Sequence, residues 1–381
     1  MGRETPSIGL PPPSYRKNAR SKQAKATLNK TIPALLTAHP RAKKGVQASE
    51  LIVDPPPPSS REHKTAPPNE NSTTKKNKPA NTTTSPTHPT LSITVSDPLS
   101  AAHDLLHDPS TNLPDLTNTL PRVGILNMAS PLTPGGGFLN GSSTPESSLC
   151  MRTTLLPSLL DSYYPLPSLG GVYTPDVLAF RDERGDDLPK HSRWFVDVVS
   201  AGMLRFPEVE LDEETGRGTY ASSKDREEVV GKVRGVMRIF ARKGCKRVVV
   251  GAWGCGVYGN PVGEVARAWR RVLVGRKGRG EGWEGLGLER VVFAVGDGGL
   301  AEGFREAFGE GLEWDEGAGA EDGEEGEEDD GEEEDVEAVR LREMQEKIEE
   351  MHLRIEQAKT PQLKAGLMSV LAGLESQVPQ D

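Results

Sequence analysis

Residues 123–150 read VGILNMASPLTPGGGFLNGSSTPESSLC, and the fold of the chain is decided there. The run from Val123 to Met128 is apolar enough for a strand buried on both faces. A proline and glycine cluster then turns the chain, and a helix signal follows: Thr144 is placed to act as N-cap and Pro145 as the first helical residue. Gly135, Gly136 and Gly137 remove three consecutive β-carbons, so main-chain N–H groups can approach an anion closely. A helix N-terminus behind such a loop adds partial positive charge, and the two together form a cradle for a phosphate or diphosphate. A bare GGG run is more often a plain surface turn, so the context has to carry the reading.

The same arrangement recurs downstream. RVVVGAW, beginning at Arg247, is a continuous apolar strand; GCGVYGNP, beginning at Gly254, is a glycine-rich loop; VGEVARAWRRVL, beginning at Val262, is a helix. Strand, glycine loop and helix N-terminus is the order that places diphosphates at the carboxyl edge of an α/β sheet. The bland reading of Gly254, Gly256 and Gly259 is a tight turn between strand and helix, and it weakens beside a second glycine loop. Cys255 offers a nucleophile on paper, but with no histidine expected nearby it reads better as a small buried residue. Neither loop ends in Gly-Lys-Ser or Gly-Lys-Thr, which disfavours a kinase-like nucleotide enzyme.

The order GGG, seven residues, a short triplet and then SLC resembles the signature of the microbial-type poly(ADP-ribose) glycohydrolases, a branch of the macrodomain superfamily. The second motif, Gly251, Ala252, Trp253, Gly254, Cys255, Gly256, Val257 and Tyr258, is similar to that family's GAWGCG loop and extends the resemblance over about residues 15–310. The resemblance implies a macrodomain-like three-layer α/β/α sandwich around a mixed sheet, with both glycine loops on a diphosphate and an aromatic at Tyr258 beside the distal ribose. It also implies hydrolysis of the ribose–ribose O-glycosidic bond. In the family the triplet is Gln-Glu-Glu, whose second glutamate is the catalytic acid; here it is Pro145, Glu146 and Ser147.

That departure bears on the chemistry. Breaking the bond requires a carboxylic acid to protonate the leaving oxygen as an oxocarbenium-like centre forms, and a serine hydroxyl is far too weak an acid for this. Glu146 is the nearest carboxylate, but a one-residue step turns a helical side chain by about 100°, which points it elsewhere unless the loop is re-registered. Its plainer reading is a first-turn carboxylate favouring the helix dipole. Two functional classes follow: an ADP-ribose-binding module without turnover that recruits ADP-ribosylated partners, or a hydrolase of reduced activity. No cofactor and no metal site is expected.

Composition sets the surroundings. Among 381 residues there are 31 prolines and only 5% aromatics, which points to one folded domain with long appendages. The net charge of −10 is concentrated in residues 321–335, about a dozen acidic side chains with glycine between them. Residues 1–80 carry about ten more basic than acidic side chains, an arm suited to nucleic acid or poly(ADP-ribose) but most simply a solvated tail. Cys150, Cys245 and Cys255 form neither a disulfide framework nor a zinc spacing. With no bilayer-length apolar run and no signal-peptide core, the expectation is an intracellular chain, cytoplasmic or nuclear.

The remaining elements are read in order. Residues 1–54 form a basic helical segment, with a helix over 15–36 broken at Pro33, and residues 55–90 a disordered low-complexity linker. Residues 91–310 form the macrodomain-like domain. Within it LSITV is a strand, the following helix is capped by Asp97 or Ser100, and a helix runs from Pro145 to about Leu156. Strands follow up to Arg181 and over 194–200, with His191 in a solvated loop between them. An amphipathic helix spans 225–243 and stops at Gly244, and RVVFAVGD and GLAEGFREAFGE close the domain. Residues 311–335 are an acidic disordered linker. Residues 336–381 carry a short a/d seam for a helical hairpin, for self-association over 336–376, or for packing back on the domain.

Overall fold

The structure is a computed structural model that describes residues 13–57, 89–107, 111, 113–119, 121–212, 217–275, 283, 287–315 and 368. The chain falls into two units, 1–320 and 321–381, and of the second only Met368 is described. The linker over 58–88, the acidic stretch from 316 and, Met368 apart, the seam over 336–376 therefore lie outside the described residues.

The N-terminal segment is α1 (Pro13–Ala26), a π-turn (Thr27–Thr31), α2 (Ile32–Ala38) and α3 (Pro40–Gln47), followed by β1 (Glu50–Val53). The helix does not break at Pro33 but just before it. Pro33 lacks an N–H and its ring crowds the preceding carbonyls, so the turn ahead of it loosens and the Ile32 N–H donates five residues back to the Thr27 carbonyl. β1 pairs antiparallel with a strand of the main domain, so residues 1–54 and 91–310, read apart in the sequence, share one sheet.

The rest runs β2 (Thr90–Thr94), α4 (Pro98–Leu105), β3 (Arg122–Met128), α5 (Pro145–Arg152), β4 (Gly170–Ala179), β5 (Trp194–Ala201), β6 (Val209–Leu211), β7 (Gly218–Tyr220), α6 (Ser223–Arg242), β8 (Cys245–Val250), α7 (Val262–Leu273), β9 (Arg290–Ala294), α8 (Gly298–Phe308) and β10 (Glu313–Trp314). β10, inside the stretch read as acidic linker, adds the far edge strand. The main sheet has the order β1-β4-β5-β3-β8-β9-β2-β10, and β6 and β7 form a separate hairpin. Only β4 runs against the others, which makes the sheet mixed.

Strand side chains alternate between two cores, as a pleated sheet requires. Leu126, Val248, Val250, Val291 and Phe293 pack under α6, α7 and α8 with Val233, Trp269 and Phe304. Val123, Ile125, Val249 and Val292 pack on the other face with Leu99 and Leu105 of α4 and Leu149 of α5. This is the expected three-layer sandwich. α4 is capped by Asp97, whose carboxylate accepts from the Leu99 N–H at 2.8 Å. α5 stops at Arg152, short of Leu156, because the next residues are drawn to the sheet: the Thr154 N–H donates to the Leu178 carbonyl at 3.0 Å. Among the described residues no helix is long and apolar enough to cross a membrane.

α1 docks on the exit of the first glycine loop. Arg20 Nε donates to the Gly141 carbonyl at 2.8 Å and Ser21 Oγ to the Leu139 carbonyl at 2.7 Å. Gly141 has φ +83°, and a β-carbon there would stand 2.1 Å from the Lys17 carbonyl oxygen. Gly141→Ala is therefore expected to lower stability by roughly 3 kcal/mol in urea unfolding, through both backbone strain and overlap. An unchanged midpoint would contradict this docking.

Candidate functional site

β3 and β8 lie side by side and parallel, Ile125 opposite Val249, so the loops that follow them leave the same edge of the sheet. The contact is close: a β-carbon on Gly251 would meet Met128 Cε at 3.3 Å. The loop after β5, on the other side of β3, wedges between them. Gly202 packs on Pro131, Met203 Cγ would stand 2.6 Å from a β-carbon on Gly254, and the Phe206 N–H donates to the Tyr258 carbonyl at 3.0 Å. Two glycine loops distant in sequence therefore leave the carboxyl edge from adjacent strands, with the 202–206 segment in contact with both.

Gly136 takes φ +50° and Gly254 φ +78°, a left-handed region that L side chains rarely adopt. Around Gly256 and Gly259 an added β-carbon would meet no described atom within 4 Å, so the backbone of that loop faces open space. Gly137 opens a 3₁₀ turn over Phe138–Asn140, which carries the chain toward α5. There Thr144 caps the helix, its hydroxyl accepting from the Ser147 N–H at 3.3 Å.

Glu146 does not point away from the glycine run. Its carboxylate is 3% exposed and lies against Gly136, whose missing β-carbon would stand 3.0 Å from Oε2. The first turn of α5 faces back into its own loop, where unpaired main-chain donors await an acceptor: the Ser130 N–H donates to Oε2 at 2.8 Å and the Gly135 N–H also binds the carboxylate. Asn127 Nδ2 donates to Oε1 at 3.3 Å. Burial outweighs these hydrogen bonds and pushes the carboxyl pKa up to about 7. Ser147 is buried as well, but its hydroxyl bonds Ser142 Oγ at 2.8 Å and Thr144 Oγ1 at 3.1 Å. Ser147 thus sits in a cluster of hydroxyls, and the buried carboxyl group stands one residue earlier.

Cys255 is half-buried, with its thiol pushed up to about 12 by burial, which suits a packing residue and not a nucleophile. Val257 and Tyr258 are half-buried in the second loop, and Tyr258 meets Phe206 edge-on at 6.2 Å between ring centroids. His191 is exposed just before β5, at the opposite edge of the sheet.

Two side chains escaped the sequence reading. Asn127 is fully buried; its Nδ2 also reaches Ser200 Oγ at 3.0 Å, and its Oδ1 has no hydrogen-bond partner among the described residues. Exchanging the amide N and O, which are equivalent in shape, would let a protonated Glu146 donate to it. An asparagine inside the apolar run GILNM was the visible signal. Tyr164, whose hydroxyl is buried without a partner among the described residues, lies close enough to both Glu146 and Tyr258 to feel their charges, and burial with those charges raises its pKa.

Comparison with known proteins finds similar chains. Residues 58–182 match the family of the microbial-type PARG catalytic domain, a span that includes the first glycine loop, Glu146 and Ser147. The fold is similar to the crystal structure of poly(ADP-ribose) glycohydrolase from Thermomonospora curvata, with 21% identity over 76% of this chain and 98% of that chain and a TM-score of 0.54. The same enzyme bound to the inhibitor ADP-HPD aligns with a TM-score of 0.52 at the same identity and coverage. The Deinococcus radiodurans enzyme in complex with ADP-ribose is 26% identical over 58% of this chain and 84% of that chain, with a TM-score of 0.45. No curated protein matches the chain. The fold is that of a poly(ADP-ribose) glycohydrolase, and the family match covers about a third of the chain.

The raised pKa of Glu146 gives a pH signature. Its folded pKa, about 7, exceeds the 4.5 of an ordinary glutamate, so its stabilising share is complete below about pH 4.5 and is lost as pH rises through 7. That share is about 3 kcal/mol. Glu146→Gln, neutral at every pH, is expected to match the wild type near pH 4.5 and to melt higher than it above pH 7.5 in thermal scans. Parallel curves would contradict a buried, weakly acidic Glu146.

Proposed function

We propose that this domain binds ADP-ribose, as the terminal unit of poly(ADP-ribose), and that hydrolysis of the ribose–ribose bond is weak or absent. The observation that supports binding most strongly is the convergence of the 135–137 and 254–259 loops from adjacent parallel strands, with open space over Gly256 and Gly259. Main-chain N–H groups of both loops other than those of Gly135, Gly136, Cys255 and Gly259, which are bonded within the fold, would hold the diphosphate, aided by the N-termini of α5 and α7. Tyr258 would border the distal ribose. Ser147 supports the loss of turnover, since a hydroxyl held by Ser142 and Thr144 cannot protonate a leaving oxygen. A module of this kind would recruit ADP-ribosylated proteins and leave the modification in place.

One observation favours a second reading. A carboxyl group whose pKa is raised to about 7 has the acidity that a general acid needs, and Glu146 lies beside Gly136. If it acts, the rate falls as pH rises through 7 and vanishes in Glu146→Gln.

Calorimetric titration with ADP-ribose beside a turnover assay on poly(ADP-ribose) separates the readings. Gly254→Val is expected to weaken ADP-ribose binding at least tenfold, on the order of 1.4 kcal/mol or more, while Ser147→Glu raises hydrolysis above the wild-type rate. Tight binding unaffected by Gly254→Val would argue against this binding site. Rapid wild-type turnover would argue against the binding-module reading.

A further inference from the structure

At the opposite edge of the sheet, the last turn of α4 gathers a second set of chemically capable side chains. His103, Asp104 and His107 each offer one ligand atom, and these atoms all lie within 4.8 Å of one another. The histidines are four residues apart, which puts both imidazoles on one flank, with ring centroids 5.5 Å apart. The helix ends at Leu105, so His107 turns back toward it, and its Nδ1 lies 3.3 Å from the Asp104 carbonyl oxygen. A carbonyl oxygen only accepts, so this contact puts the proton on Nδ1 and leaves Nε2 with a lone pair. A ring nitrogen tied to a backbone carbonyl is how a metal-bound imidazole is commonly oriented.

The surroundings fix the cluster in place. The His103 ring meets Trp194 edge-on at 5.4 Å. Arg247 donates to the carbonyls of Leu105 and His107 at 2.8 and 3.1 Å, which pins the backbone where the helix ends. His103 and Asp104 also line a cavity of about 740 Å³ with Ser100, Arg152 and Trp194, which leaves room for a water molecule or a further ligand atom.

We propose that His103, Asp104 and His107 bind one divalent transition-metal ion of the Zn²⁺ class, through two imidazole nitrogens and a carboxylate oxygen, with a coordination position open to the cavity. Two nitrogens and one oxygen suit a borderline cation; Ca²⁺ and Mg²⁺ would call for oxygen ligands throughout. The site is separate from the glycine loops and independent of ADP-ribose binding.

The full-length chain, stripped of metal by a chelator, is titrated with Zn²⁺ by calorimetry and with Co²⁺ by visible absorption. One saturable site is expected, weakened at least about tenfold in His107→Ala and in His103→Gln, with loss of the Co²⁺ d–d bands in both. Circular dichroism melts confirm that the variants fold, and the half-exposed His107 decides the outcome should His103→Gln not fold. No saturable binding by the wild type, or less than a twofold change in His107→Ala, would overturn the proposal. Zn²⁺ binding that survives in the double variant would overturn it too, placing the ion on other carboxylates.

Discussion

The parallel pairing of β3 with β5 on one side and β8 on the other is the constraint on which the rest of the structure depends. Parallel strands bring all their carboxyl ends to one edge, and the chain leaves β3 toward β4 and β5 but leaves β8 toward β9. The two glycine loops follow the strands at which those directions diverge. Once the register is set, residues 130–137 and 254–259 leave the sheet from neighbouring strand ends, and the glycines let their backbones take paths that a side chain would block. With β-carbons at Gly136 and Gly254, the first loop would press on Glu146 and the second on Met203.

The buried carboxyl group of Glu146 shows how local constraints redistribute chemistry. A loop made of glycine, proline and small residues cannot satisfy its own donors, so the first turn of α5 supplies an acceptor from within. Taking that carboxylate out of water costs more than two N–H groups and an amide return, and the balance appears as a pKa near neutrality. Ser147 stands one step on, inside a neutral hydroxyl cluster that needs no charge to be stable. Two adjacent residues of one turn thus end in different surroundings, a carboxyl group tied to the loop backbone and a hydroxyl tied to its neighbours.

Much of this was legible in the sequence because the signals were local. Thr144-Pro145 marked the start of α5, Asp97 the start of α4 and Gly244 the end of α6, and the apolar runs at 123–128 and 247–250 marked the strands that carry the loops. What stayed hidden depends on tertiary pairing. β1 is four residues long and half-exposed, with no alternation to betray it, and is a strand only because β4 offers an edge. The short β6–β7 hairpin is likewise a product of pairing. The inward turn of Glu146 follows from the path of the loop, which helical periodicity cannot foresee. The proximity of His103 and His107 likewise depends on the last turn of α4, where the chain folds back beyond Leu105.

The central claim is that both glycine loops grip one diphosphate, and amide hydrogen exchange with and without ADP-ribose tests it most directly. Simultaneous protection of the amides at 135–137 and 254–259, with the β6–β7 hairpin and the amino edge of the sheet unchanged, is the predicted result. Protection of one loop alone, or of neither at saturating ligand, would contradict it.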